Sequence, residues 1–292
     1  MRPHDIAELT LLAALWGGSF AFMRVAAPEF GPFALIELRV GVAALALLPF
    51  LAWRGRLRDL LTHWKPVLVV GVVNSALPFC LFAYASLSIT GGLAAILNSS
   101  SPLWTAVVAR LWLGEKMPAW RIAGLVIGFA GVGMLVGDTV GVRGDAVAPA
   151  VAAALLAALF YGVAGNYAKL RLAGVDPMAV ATGTQAAAAL VLLPPALWWW
   201  PRSPVSGTAW SAVLVMALAS TAFAFVLYFR LIARVGPARA ITVTFLVPLF
   251  GVLWGALFLA EVPTPGMLAG CAVILAGTAL STGIVAPRKG RG

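Results

Sequence analysis

Residues 98–115 read NSSSPLWTAVVARLWLGE, and residues 244–261 read TFLVPLFGVLWGALFLAE. Each stretch sets a proline inside an apolar run and ends on a glutamate: Pro102 and Glu115, then Pro248 and Glu261 at an offset of 146 residues. Gly124 and Gly131 recur as Gly270 and Gly277 at the same offset, and Leu11-Leu12-Ala13-Ala14-Leu15 recurs as Leu155-Leu156-Ala157-Ala158-Leu159 after 144. A single match means little in a chain so rich in Ala, Leu and Gly. Landmarks kept in the same order imply two related halves, 1–144 and 145–292.

Working outward with a window of about 19 residues, apolar spans fall near 6–25, 32–53, 66–87, 91–112, 119–137, 147–168, 178–198, 209–229, 239–260 and 265–286. The hydrophobic set is 62% of 292 residues and charged residues are 10%, against about 25% charged in an ordinary soluble domain. The surplus apolar surface needs lipid as its solvent. A first span followed by nine more is expected to remain in place and not to act as a cleaved signal peptide. The expected fold is an all-α integral membrane protein with ten transmembrane helices in two inverted five-helix repeats. An odd number of spans per half makes the second half enter the membrane in the opposite sense, the arrangement from which transporters build two exchangeable conformations around a midplane site.

The net charge of +10 comes from 20 Lys and Arg. They lie in small groups between apolar runs and form no basic stripe, which argues against nucleic acid. Arg2, Arg54, Arg56, Arg58, Lys65, Arg110, Lys116, Arg121, Lys169, Arg171, Arg230, Arg234, Arg239, Arg288, Lys289 and Arg291 flank one side of the spans; Arg24, Arg143 and Arg202 flank the other. Positive residues are retained in the cytoplasm, so both termini are expected there. Cys80 and Cys271 sit far apart in apolar runs and read as buried thiols, neither a disulfide framework nor a metal site. There is no phosphate-binding Gly-rich loop ending in Lys-Ser/Thr and no His-Glu-x-x-His helix. No catalytic residue, metal, cofactor or ATP is expected.

The candidate functional residues are the interruptions of the apolar spans. Glu37 and Arg39 are charges inside the second span, where a charge is costly unless it faces a cavity, a partner or the interface; they are the candidates for gating or coupling, with a structural ion pair or snorkelling as the alternative. Pro102 removes a backbone donor beside Asn98 and Ser99. Thr244 and Pro248 occupy the matching place in span 9, Asn74 and Pro78 with Tyr84 interrupt span 3, and Ser220, Thr221 and Tyr228 interrupt span 8. Bent helices with polar neighbours, placed alike in both halves, suit a cavity; packing is the alternative. Trp16 and Phe20 share a face of span 1 at i and i+4, and span 6 offers Tyr161. Aromatic walls with a few hydrogen-bonding groups suit a small planar or amphipathic solute. Trp53, Trp64, Trp198, Trp199, Trp200 and Trp210 flank spans and read as interface anchors. Gly124 and Gly128 form a Gly-x-x-x-Gly face, for a contact within the monomer or a dimer seam.

The ten spans, the Trp-Gly-Gly-Ser-Phe stretch at 16–20 and the paired endings Leu113-Gly114-Glu115 and Leu259-Ala260-Glu261 resemble the EamA-type family of the drug/metabolite transporter superfamily over nearly the whole chain. Among such carriers the chain most resembles the bacterial aromatic amino-acid exporters. The resemblance implies a multi-pass carrier of the bacterial inner membrane, monomeric or dimeric, exporting small organic solutes by alternating access. Its cavity would draw on spans 1, 3, 4, 6, 8 and 9, bringing Trp16, Phe20, Asn74, Pro78, Tyr84, Asn98, Ser99, Pro102, Tyr161, Thr244 and Pro248 to the solute. An importer or exchanger of the same fold and a non-transporting membrane scaffold are the alternatives.

Overall fold

A computed structural model of the chain describes residues 2–140 and 146–285. The division at 144/145, Arg143 and the cations Arg288, Lys289 and Arg291 lie outside the described residues. Within them the chain forms ten apolar helices. The first two, α1 (3–30) and α2 (32–53), run on from one another within Pro3–Trp53 and break at Gly31, whose φ of 70° lies between Pro28 and Pro32. The others are α3 (Trp64–Ala85), α4 (Gly91–Trp112), α5 (Ala119–Val140), α6 (Val147–Arg171), α7 (Pro177–Trp198), α8 (Gly207–Val235), α9 (Val243–Leu259) and α10 (Pro265–Thr282). A short exposed helix, Leu57–Thr62, joins α2 to α3.

Side chains set the helix starts. Thr90, Asp176, Ser206 and Thr264 each accept the backbone N–H three residues on, from Leu93, Ala179, Ala209 and Met267 at 3.0–3.2 Å. This satisfies a donor that the first turn of α4, α7, α8 and α10 leaves open. Two helices change pitch midway. α3 contains a π-helical segment, Gly71–Ala76, and α8 contains another, Leu218–Phe223, 147 residues later. Pro78, which cannot donate, lies two residues past the end of the first of them.

Packing repeats as well. α1 lies against α9, and α6 against α4, through close backbone approach: a Cβ on Gly17 would stand 2.8 Å from the Gly251 nitrogen, and one on Gly162 would stand 2.8 Å from the Thr105 nitrogen. α1 also meets α8 as α6 meets α3, and α2 crosses α7. Gly124, Gly128 and Gly131 of α5 take the backbone of α10 around Gly277 and Ile274, so the Gly-x-x-x-Gly face is a contact within the monomer. One expectation needs correction. The helix breaks do not fall alike in both halves: α4 opens at Ser99–Ser100, just before Pro102, whereas the chain entering α9 turns at Ile241–Thr242 and Pro248 lies inside the helix. Local hydroxyls decide the position, since Ser99 and Ser100 bond the Ile96 and Leu97 carbonyls in the first half and Thr242 bonds that of Arg239 in the second. Cys80 and Cys271, expected to be buried, are half-buried free thiols packed at the edge of the apolar core, and the Cys80 thiol donates to the Pro32 carbonyl at 3.9 Å.

The α5–α10 seam gives a stability test. A Cβ at position 277 would overlap the Gly128 backbone, whereas one at Gly133 meets nothing within 4 Å. Gly277→Ala is expected to destabilise the purified protein by about 1–3 kcal/mol, read as a lower melting temperature in detergent; Gly133→Ala should leave it unchanged or raised.

Candidate solute-binding site

Rings from α1, α3 and α6 meet in the interior. Phe20 stands edge-on to Phe82 with centroids 5.4 Å apart, Phe82 stacks on Tyr161 at 6.2 Å, and Tyr161 also meets Phe79 at 6.5 Å. Phe79 and Phe82 lie three residues apart, on one helical face. Trp16, one turn before Phe20, turns instead to Tyr228 of α8 at 5.2 Å. The predicted residues Phe20 and Tyr161 therefore share one cluster, and Trp16 borders it.

Arg39 of α2 closes the cluster. It is 4% exposed, and its guanidinium carbon lies 3.9 Å from the centre of the Phe79 ring. Its Nε donates to the Thr221 hydroxyl at 3.0 Å. Thr221 sits in the π-helical segment of α8, where the wider turn lets its hydroxyl donate to the carbonyl five residues back, that of Met216, at 3.0 Å. A hydroxyl that has given its proton still has lone pairs to accept the Arg39 bond. Among the described residues Arg39 Nη1 is buried without a partner.

The same contact occurs a second time. Gln185 of α7 donates through Nε2 to the Ser75 hydroxyl in the π-helical segment of α3, at 3.1 Å. Gln185 is 146 residues after Arg39, and Thr221 is 146 after Ser75. Each clasp ties the second helix of one half to the third helix of the other. Gln185 is fully buried, and its Oε1 has no partner among the described residues.

Among the described residues Glu37 and Arg39 form no ion pair, as their spacing on the helix requires. Glu37 is half-buried beside Gly41, with Oε2 unpartnered. Asn74 is half-buried in the π-helical segment and Pro78 is buried beside Phe79. Tyr84 is 43% exposed, on the outside of α3. The polar residues of α4 and α9 are bonded to their own backbone: Ser99 to the Ile96 carbonyl at 2.6 Å, Ser101 to that of Asn98 at 2.6 Å, and Thr244 to that of Ile241 at 2.8 Å. Pro102 is half-buried and Pro248 buried. Among the described residues no hydrogen bond or ring contact joins Asn98, Ser99, Pro102, Thr244 or Pro248 to the aromatic cluster.

Both glutamates that end the repeated stretches are ion-paired. After α9, Glu261 accepts the backbone N–H groups of Gly91 and Gly92 at the start of α4, at 3.1 and 3.4 Å, with Arg24 of α1 at 3.9 Å. Arg24 also bonds the Ser86 and Leu87 carbonyls at the end of α3. After α4, Glu115 meets Lys169 of α6 at 2.5 Å. The backbones match: Gly114 and Ala260 have φ of 67° and 53°, and each glutamate N–H bonds the carbonyl six residues back. The side chains differ, since Glu261 is 13% exposed and Glu115 40%. Sequence reading found both glutamates as landmarks and missed their partners, as it missed Phe79, Phe82, Ser75 and Gln185. The 146-residue offset, applied to Arg39, points to Gln185.

The family model of the EamA-like transporter family matches residues 7–137 and again 148–283. The uncharacterized transporter YoaV of Bacillus subtilis is 24% identical over 288 residues, 97% of each chain. A probable terminal-alkyne amino-acid exporter of Streptantibioticus cattleyicolor is 26% identical over 276 residues, covering 93% of this chain and 91% of its own. A solved crystal structure of a protein 21% identical in sequence aligns with a TM-score of 0.68 over 97% of this chain and 98% of that one, a likeness of fold.

The glutamate pairs differ in what removal should cost. Glu261→Ala strips an acceptor from two helix-end amides and leaves Arg24 unpaired, a loss of about 1–3 kcal/mol. It should lower the melting temperature and speed hydrogen exchange at Gly91 and Gly92. Glu115→Ala removes an exposed pair and should change stability by about 0.5 kcal/mol or less.

Proposed function

This chain belongs to the EamA-like transporter family, and from that premise we propose that it exports amino acids, aromatic ones foremost, and related small organic solutes by alternating access. The observation that carries the reading is the cluster of buried Phe20, Phe79 and Phe82 with half-buried Tyr161 beside Arg39, drawn from helices of both halves. Stacked and edge-on rings bind a planar side chain at low entropic cost, and the amino-acid exporter relative supports the solute class. Trp16 borders the same space. Asn74, Pro78, Asn98, Ser99, Pro102, Thr244 and Pro248 join the solute path around the cluster in this reading, and Tyr84, on the outside of α3, stands away from it.

The halves 1–144 and 145–292 are inverted repeats in this reading, set in a bacterial inner membrane with both termini in the cytoplasm and working as a monomer. Glu261 and Glu115 then lie at opposite membrane faces as equivalent latches. The outer one holds α1, α4 and α9 together while the inner one is exposed, the arrangement of a carrier closed outside and able to load from the cytoplasm. Release outside requires Glu261 to leave the Gly91 and Gly92 amides and α4 to part from α9. A phosphorylated solute fits less well, since it calls for a deep pair of cations and Arg39 stands alone as the buried cation among the described residues.

Proteoliposomes loaded with labelled phenylalanine, tyrosine, tryptophan, threonine or an organic cation test this function. Saturable flux of the aromatic amino acids is expected, lowered about 2- to 10-fold by Phe82→Ala, the worth of one aromatic contact, and unaffected by Trp199→Ala at the outer belt. Absence of flux for every solute would sink the reading. Glu37 is the candidate coupling group: a pH gradient should drive flux in the parent and lose its effect in Glu37→Gln, and equal pH dependence in both removes Glu37 from the mechanism.

A further inference from the structure

A buried arginine is ordinarily paired, because a guanidinium taken out of water without a counter-charge is costly. Arg39 is not: among the described residues its side chain has a hydroxyl and an aromatic ring as neighbours and no carboxylate within salt-bridge distance. Holding α2 to α8 does not require the charge, because Gln185 makes the same bond to a π-helical hydroxyl at the equivalent place in the other half with a neutral amide. The positive charge of Arg39 is therefore left unexplained by packing.

We propose that Arg39 is the anchor for a carboxylate on the transported solute, which binds in the plane of the guanidinium at its Nη1 edge with the apolar part of the solute against Phe79, Phe82 and Tyr161. The contacts of the guanidinium motivate this pose. Nε is occupied by Thr221 and one face of the guanidinium is covered by Phe79, and of the terminal nitrogens Nη1 is a buried donor that lacks a partner among the described residues. An anion arriving there completes a charge-assisted pair and supplies the missing counter-charge. The solute class is thus organic carboxylates with a flat apolar body, amino acids included. The inference rests on the transport reading in one respect, that solute reaches the centre of the bundle.

Calorimetric titration of the purified, full-length protein with three probes tests it: L-phenylalanine, its amide, which lacks the carboxylate, and 3-phenylpropionate, which lacks the amine. Both carboxylates should bind the parent about 10- to 100-fold more tightly than the amide, as expected for a hydrogen-bonded charge. Arg39→Gln installs the residue used in the other half, so it should fold, and it should bring acid and amide to within about twofold. Arg39→Lys should keep part of the preference, since the charge remains and the fork is lost. Equal binding of acid and amide to the parent, binding of neither carboxylate, or a folded Arg39→Gln that still prefers the acid would each overturn the proposal. Should Arg39→Gln fail to fold, the parent and Arg39→Lys ratios decide it. The two readings fail separately. Arg39-dependent binding of 3-phenylpropionate without amino-acid flux removes amino-acid export and keeps the anchor, whereas equal flux of phenylalanine and its amide keeps export and removes the anchor.

Discussion

In hydrocarbon, a helix that loosens by one residue releases carbonyl groups that only the protein can satisfy. The π-helical segments of α3 and α8 are where this chain meets that constraint. At Leu218–Phe223 the hydroxyl of Thr221 returns a donor to the Met216 carbonyl, and its remaining lone pairs accept a hydrogen bond from α2. The irregular turn that would be a defect in an isolated helix thereby becomes the point at which one half of the molecule grips the other. Gln185 makes the corresponding bond to the Ser75 hydroxyl in the opposite direction. Cross-half packing around them is apolar and backbone-close, so these two polar bonds fix the register of α2 on α8 and of α7 on α3.

The sequence showed the large features well because lipid writes them in composition. Runs of about twenty apolar residues, the order of Pro102, Glu115, Gly124 and Gly131 with their echoes, and the Gly-x-x-x-Gly face of α5 all correspond to helices and contacts in the structure. The candidate site was legible in part. Trp16, Phe20 and Tyr161 stood out as interior rings, and the charges of α2 as costly. Phe79 and Phe82 were hidden, because in a membrane helix a phenylalanine facing the centre and one facing lipid look alike. Gln185 and Ser75 were hidden for another reason: each is unremarkable alone and acquires meaning from a partner more than a hundred residues away. The run from Asn98 to Ser101 drew attention by its polarity, yet its hydroxyls are consumed by the carbonyls of their own turn. Polarity in a span marks either a site or a helix break, and sequence alone does not separate them.

The halves agree in backbone and differ in chemistry at the places that matter most. Leu113-Gly114-Glu115 and Leu259-Ala260-Glu261 end their helices with the same left-handed residue and the same six-residue backbone bond, but Glu261 reaches two amides and Glu115 reaches one lysine. Gly91 and Gly92 leave both their N–H groups free for Glu261; at the matching positions the chain has Pro237, which has no N–H to give, and Ala238. The two carboxylates thus cannot make identical contacts even if the halves exchanged conformations, so the two ends of the molecule that they close differ in strength.

The same divergence bears on how a pseudo-symmetric bundle can hold an asymmetric solute. Two equivalent clasps with equal side chains would present equal surfaces to the centre, and a small molecule with one polar and one apolar end would have no preferred orientation between them. With arginine in one clasp and glutamine in the other, the backbone equivalence that a repeated architecture needs is retained while the electrostatics are polarised toward α2. The cost is a buried charge on one side, offset in part by the Phe79 face and the Thr221 hydroxyl. What those two neighbours leave uncompensated is available as differential affinity for an anion, and only a differential interaction can bias one conformation of a carrier over another.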